Sequence, residues 1–366
     1  MKLLWVFSTF AIGGPQRRFA TLANAFGGKH SHIIGAMDGC YDAMSLLSDN
    51  VAAERIELAA EKNTSISFSN IKSFRRIIAN YSPDILLTSN WGTIEWRIAN
   101  RGLAPQIHSE DGFGPDEAGG DRNQKRDFMR RALFSTPILK RKPFRLAAPS
   151  SDIAAIAKDH WGVPAASISE IPNGVDLENF APVTRIERRP VTIGSVGAMR
   201  TEKRFDRLLY IFSDVAQNTA ARLLLVGDGP ERSKLQNLAV DLGINEFVEF
   251  AGNQNDVAPF LAEMDIFAMT SDTEQMPIGL VEAMATGLPV VASDVGDIRK
   301  MLADDNRQFV FDRESKPGFA AAFTQLANDA DLRRQLGSKN ASKARAEYSM
   351  EKMINAYEAL FAEITN

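Results

Sequence analysis

Short apolar runs of strand type alternate with helical stretches along almost the whole chain, and that alternation leaves few folds open. In the first half the runs are Leu3–Ser8, His32–Met37, Asp84–Ser89, Pro105–Ser109 and Leu146–Pro149. Helical patterns such as Gln16–Phe26, Ile71–Asn80 and Ile153–Lys158 fall between them. In the second half the runs are Val191–Val196, Arg222–Val226, Phe247–Phe250, Asp265–Thr270, Pro289–Ala292 and Gln308–Phe311. Near-continuous apolar strands separated by helices predict parallel sheets covered on both faces. A chain of 366 residues is too long for one ordinary core. The expectation is therefore α/β, with two doubly wound domains. The stretch from Ile171 to Pro190 is rich in Pro, Asn and charge and lacks periodicity, so it marks the boundary. Predicted domains are residues 1–172 and 173–345, followed by a terminal helix over 346–366. That helix puts Met353, Ala356, Tyr357, Leu360, Phe361 and Ile364 on one stripe.

Composition narrows the class. Hydrophobic content of 45% and charged content of 24% are those of a soluble globular protein. One cysteine, Cys40, excludes an internal disulfide and fits a reducing compartment. The four histidines form no cluster with metal-ligand spacing, and no apolar run is long enough to span a bilayer. The apolar start could pass for a signal peptide, but its run is short and Pro15-Gln-Arg-Arg18 opens an amphipathic helix. A first buried strand is the better reading, and the expected location is cytoplasmic. Charge is uneven: 21 Lys/Arg face 17 Asp/Glu up to Pro172, and 21 face 29 beyond it.

The most informative segment is Ser271-Asp-Thr-Glu-Gln-Met-Pro-Ile-Gly-Leu-Val-Glu282. It follows the strand run Asp265–Thr270, and a helix should start near Pro277. Glu274 then sits in the strand-to-helix turn and Glu282 about two turns further on. In open α/β sheets, ligands bind outside the carboxyl ends of the strands. Two carboxylates there, joined by a turn with free N–H groups, suit a ligand with many hydroxyls and a phosphate. The loop Gly194-Ser-Val-Gly-Ala-Met-Arg-Thr-Glu-Lys203 adds Arg200 and Lys203 at another strand's carboxyl end, where they suit a diphosphate. Gly13 and Gly14, after the first strand, would let backbone approach a ligand closely, or simply turn the chain. Gly227-Asp-Gly-Pro230 has the same two readings. A GxGxxG dinucleotide fingerprint is absent.

Together with Pro172-Asn-Gly-Val-Asp176, Glu282-Ala-Met-Ala-Thr-Gly-Leu-Pro-Val-Val291 and Tyr348-Ser-Met-Glu-Lys352, these pieces resemble the retaining glycosyltransferases of the group 1, or family 4, type. The resemblance implies the GT-B fold: two facing Rossmann-like domains and a C-terminal helix returning to the first. It implies that Glu274 contacts hydroxyls of the transferred sugar and that Glu282 binds the ribose. Lys203 matches the family's phosphate-binding lysine. The family's arginine position holds Ala198, so Arg200 is the nearest substitute. Gly13, Gly14, Gly227, Ile278 and Gly279 would line the nucleotide-sugar site, although Pro277 has no N–H to give. His108 matches the histidine at the donor-sugar edge; Glu110 and Asp111, next to it, either hold an acceptor hydroxyl or are solvated. The implied reaction moves a hexose-type sugar from a nucleotide-sugar donor, UDP-linked in preference to GDP-linked, to a glycan, lipid or lipid-linked acceptor. It would proceed with retention and serve cell-envelope glycan or glycolipid synthesis. No cofactor and no metal are expected, and Asp329-Ala-Asp331 reads as helix capping.

The basic, apolar segment 125–145 is suited either to an anionic membrane surface, at the inner face of the membrane, or to a helix that buries one stripe and solvates its cations. Nucleic acid is disfavoured, since aromatic residues do not interleave with a wider basic surface. A nucleotide-sugar epimerase on the same fold and a non-catalytic sugar-nucleotide-binding protein remain the alternatives.

Overall fold

A computed structural model describes residues 1–58, 66–112, 124–135, 142–185, 187 and 189–365. The chain forms two compact units. The first contains Met1–Gly112, the segment that ends at Asn173, and the residues from Glu351 onward. The second contains Gly174–Met350.

The first unit has seven parallel strands: β1 (Lys2–Phe7), β2 (Ser31–Ala36), β3 (Ala52–Ile56), β4 (Ile85–Ser89), β5 (Gln106–Ser109), β6 (Phe144–Ala148) and β7 (Ile168–Glu170). Their order is β3-β2-β1-β4-β5-β6-β7. The helices are α1 (Gly14–Phe26), α2 (Phe68–Tyr81), α3 (Ile94–Asn100), α4 (Gln124–Ser135) and α5 (Ser151–Asp159). The apolar start of the chain is the central strand β1, buried from Leu3 to Phe7. Sequence periodicity missed only β3 and β7, which lie at the two edges of the sheet. An edge strand pairs on one side and faces water on the other, so charged residues such as Glu54, Arg55 and Glu170 break the apolar run.

The second unit has six parallel strands: β8 (Val191–Val196), β9 (Ala221–Val226), β10 (Val248–Gly252), β11 (Ile266–Met269), β12 (Val290–Ser293) and β13 (Val310–Phe311). Their order is β10-β9-β8-β11-β12-β13. Here the helices are α6 (Phe205–Asn218), α7 (Arg232–Asp241), α8 (Ala258–Glu263), α9 (Ile278–Ala285), α10 (Ile298–Met301), α11 (Lys316–Asn328) and α12 (Ala330–Glu347). Two apolar clusters cover the faces of this sheet, one around Phe212, Leu223 and Phe323, the other around Phe267, Leu280 and Met284. Asp329 caps α12 by accepting the Leu332 N–H at 2.8 Å, as its spacing predicts. The last helix, α13 (Met350–Thr365), belongs to the first unit. Its residues Met353, Tyr357, Leu360, Phe361 and Ile364 join a core with Leu3, Trp5, Phe19 and Phe26. No described helix is long and apolar enough to cross a membrane.

Candidate functional site

Strand order determines which loops can meet. In the second unit the chain runs outward from β8 through β9 and β10 on one side, and the other side begins at β11. The β8–β11 junction is thus a topological switch point, where open α/β sheets form a crevice at the strands' carboxyl ends. Lys203 follows β8 and Glu274 follows β11. Lys203 Nζ donates to Glu274 Oε1 at 2.5 Å, and Ser271 Oγ donates to the same oxygen at 2.8 Å. Glu274 is buried, whereas Lys203 is partly exposed.

A second set of contacts holds these two loops together. Asp272 N–H donates to Glu202 O at 2.8 Å, and Thr270 Oγ1 donates to Arg204 O at 3.0 Å. Arg204 and Arg207 both reach the Asp272 carboxylate, at 3.0 and 2.7 Å, while Arg207 also donates to Thr270 O at 2.7 Å. Burial opposes ionisation of Asp272, but the hydrogen bonds from Arg207 and Arg204 prevail and hold its carboxyl below the usual range. Arg204 has a left-handed backbone (φ 51°), an uncommon conformation for a side-chain-bearing residue, and its contacts with Asp206 and Asp272 stabilise it. Arg200 is exposed and makes no ion pair among the described residues.

Gly227 lies at the neighbouring loop. It has φ 135°, and a Cβ there would lie 1.9 Å from Gly197 O. Only glycine lets the loops after β8 and β9 approach this closely. Pro277 precedes α9, so the first helical N–H groups belong to Ile278 and Gly279. Gly279 stands near the end of β8, its Cβ position 3.5 Å from Val196 O. Glu282 is half-buried within α9, about one turn beyond Ile278.

In the first unit, Gly13 is the N-cap of α1 and Gly14 its first residue, placed after the central strand β1. A Cβ on Gly13 would come within 2.9 Å of Gln16 Oε1, and Gln16 Nε2 donates to Thr9 O at 2.8 Å. His108 lies on β5 and is almost wholly buried. Its Nδ1 is 2.9 Å from Thr88 Oγ1, which accepts from Gln106 Nε2 at 3.0 Å. Its Nε2 faces Glu110 Oε2 at 3.4 Å. The other Glu110 oxygen lies 3.4 Å from the Arg130 guanidinium, which sits between the rings of Trp91 (5.2 Å) and Trp161 (4.8 Å). Asp111 pairs with Arg18, which also donates to Asn173 Oδ1 at 3.2 Å.

These contacts correct two expectations. Glu110 and Asp111 are not solvated. Both are buried or nearly so and neutralised by arginines distant in sequence. The basic segment 125–145 likewise does not solvate all its cations, because α4 turns Arg130 and Phe134 inward while Phe128 stays exposed. Residues 136–141 of that segment lie outside the described residues. Ser271, Asp272 and Arg207 were not singled out from the sequence. A hydroxyl or a helical arginine gives no local cue that it will meet a loop carboxylate.

Among the described residues no group of three His, Cys, Asp or Glu side chains could hold a metal ion. A cavity of about 630 Å³ lies at the opposite sheet edge, beside Asp265, Pro289 and α12. Two of its guanidinium groups already serve the fold. Arg185 bonds Leu261 O, Thr286 O and Gly287 O, at the carboxyl ends of α8 and α9. Arg333 does the same for Leu326 O and Ala327 O of α11.

The family described as "Glycosyl transferases group 1" matches residues 177–343, and "Glycosyltransferase Family 4" matches residues 12–179. The lipopolysaccharide core biosynthesis glycosyltransferase LpsE of Rhizobium meliloti is 34% identical over 168 residues, 46% of this chain and 48% of that protein. The chain thus spans about half the length of such curated relatives. The UDP-Gal:alpha-D-GlcNAc-diphosphoundecaprenol alpha-1,3-galactosyltransferase of Escherichia coli is 26% identical over 301 residues, 75% of each chain. Among solved structures, Anabaena HepE in complex with UDP superposes with a TM-score of 0.80 at 17% identity, covering 99% of this chain and 100% of that one. At that identity the likeness shows a shared fold.

Proposed function

Because the chain belongs to the group 1, family 4 glycosyltransferases, we propose that it moves a hexose-type sugar from a nucleotide-sugar donor to a hydroxyl of a glycan, lipid or lipid-linked acceptor. The observation that carries this reading is the Lys203–Glu274 contact at the β8–β11 switch point. It puts a cation suited to phosphate beside a carboxylate suited to hydroxyls.

In this proposal Lys203 and the exposed Arg200 neutralise the diphosphate as the sugar–oxygen bond breaks, which is the main electrostatic contribution to the rate. Glu274 accepts hydrogen bonds from sugar hydroxyls and Glu282 from the ribose. The N–H groups of Ile278 and Gly279, at the positive end of α9, face the phosphates. Gly227 keeps the neighbouring loop low enough for the nucleotide to pass. Departure and attack occur on the same face, with the leaving diphosphate taking the acceptor's proton, so the anomeric configuration is retained. UDP is favoured as carrier by the UDP named for HepE, and a polyprenol-linked or lipopolysaccharide-type acceptor by the names of the Escherichia coli and Rhizobium relatives.

The test is hydrolysis of a panel of UDP- and GDP-linked sugars by the wild type and by Lys203→Ala and Glu274→Gln. One donor should turn over, and each substitution should lower kcat by about 100-fold. A sugar isomerised on its carrier instead of released would replace this reading with an epimerase. Binding without any turnover would replace it with a non-catalytic sugar-nucleotide binder.

A further inference from the structure

The Lys203–Glu274 pair has a consequence for which ligand the site prefers. Glu274 is 8% exposed, and one of its oxygens takes two donors, Lys203 Nζ at 2.5 Å and Ser271 Oγ at 2.8 Å. Ser271 is itself buried, and Gly296 presses on the Glu274 backbone so closely that a Cβ there would lie 2.0 Å from Glu274 O. The Glu274 backbone is thus closely packed, and its carboxylate is held toward the lysine by Ser271. A diphosphate bound by Lys203 would sit one shared ammonium away from a partly desolvated negative charge.

That arrangement treats donor and product differently. A nucleotide sugar esterifies its terminal phosphate, carries less negative charge there, and brings hydroxyl donors for Glu274. The free nucleoside diphosphate carries more charge on the same phosphate and brings no such donors. Like charges a few ångströms apart in a partly dry site repel strongly. We propose that Glu274 is a specificity-determining residue that favours the nucleotide sugar and disfavours the nucleoside diphosphate, so that the site releases its product. The proposal rests on the glycosyl-transfer reading and concerns the same pocket.

The experiment is calorimetric titration of the full chain with UDP and UDP-glucose, or with GDP and GDP-mannose where the hydrolysis panel selects that base. Glu274→Gln keeps the shape and an oxygen for Ser271 and Lys203, but removes the charge. It should bind the free diphosphate about tenfold more tightly than the wild type while binding the nucleotide sugar no better. Its preference for sugar over diphosphate should therefore fall by at least that factor, although kcat drops about 100-fold. Glu282→Gln is the control: a ribose contact is common to both ligands, so both affinities should weaken together and their ratio should hold. Thermal melts confirm that both variants fold. Unchanged or weaker diphosphate binding in Glu274→Gln would overturn the proposal and leave glycosyl transfer standing. Failure of both ligands to bind the wild type would overturn the functional reading, and this proposal with it.

Discussion

His32 is 1% exposed and accepts the Trp5 indole N–H at Nδ1, 3.1 Å away. Its Nε2 has no hydrogen-bond partner among the described residues. Burial, followed by the nearby His30 and the N-terminal ammonium, lowers its pKa from 6.5 to about 4. The folded protein therefore takes up this proton less readily than the unfolded chain. The resulting stabilisation is complete above about pH 6.5 and is lost as pH falls toward 4, by at most about 3 kcal/mol. His32→Gln keeps an acceptor for the indole, so its denaturation midpoint should change less than the wild type's between pH 6.5 and 4.5. Equal slopes would mean that other groups carry the pH response. Glu110, Asp111, Arg18 and Arg130 follow the same logic of burial: each acid is matched with an arginine, since an unpaired buried charge costs several kcal/mol. The sequence placed His108, Glu110 and Asp111 correctly at the end of β5. It was silent on their partners, which come from β4, α1 and α4.

At the scale of elements, the loops at the carboxyl edge of the second sheet touch through glycine. Gly197 N–H donates to Val226 O at 2.9 Å and Gly227 N–H to Gly252 O at 2.8 Å, which joins the ends of β8, β9 and β10. Gly227→Ala adds a Cβ where Gly197 O already stands and forces an unfavourable φ. It should cost about 1–3 kcal/mol in denaturant unfolding and weaken nucleotide binding. Gly279→Ala is the contrast. Its Cβ would make an ordinary 3.5 Å contact, so stability should stay within about 0.5 kcal/mol. Similar losses in both variants would refute the steric account. Nearly all strands were legible in the chain because buried parallel strands are apolar on both faces. The edge strands β3 and β7 were not, because Glu and Arg interrupt their short apolar runs, whereas edge strand β10 keeps a readable run around its one Glu.

At the scale of the whole molecule, the chain leaves the second unit at Met350 and its last helix completes the first. Phe361 is fully buried there, 5.8 Å from the Phe26 ring and 6.4 Å from that of Trp5. Phe361→Ala should destabilise the first unit by about 3–5 kcal/mol and leave the second unit's unfolding unchanged, as read by hydrogen exchange resolved by segment. Equal loss of protection in both units would contradict that division. Periodicity is a local property of the chain, and it was enough to establish two parallel-sheet units, the alternation of strands and helices apart from β3 and β7, and the motifs that follow the strands. Which of those motifs touch is not local. Lys203 and Glu274, 71 residues apart, become partners because β8 lies beside β11. Spacing along the chain establishes what kind of side chain stands at a strand end, but only sheet order and burial decide which charge it meets.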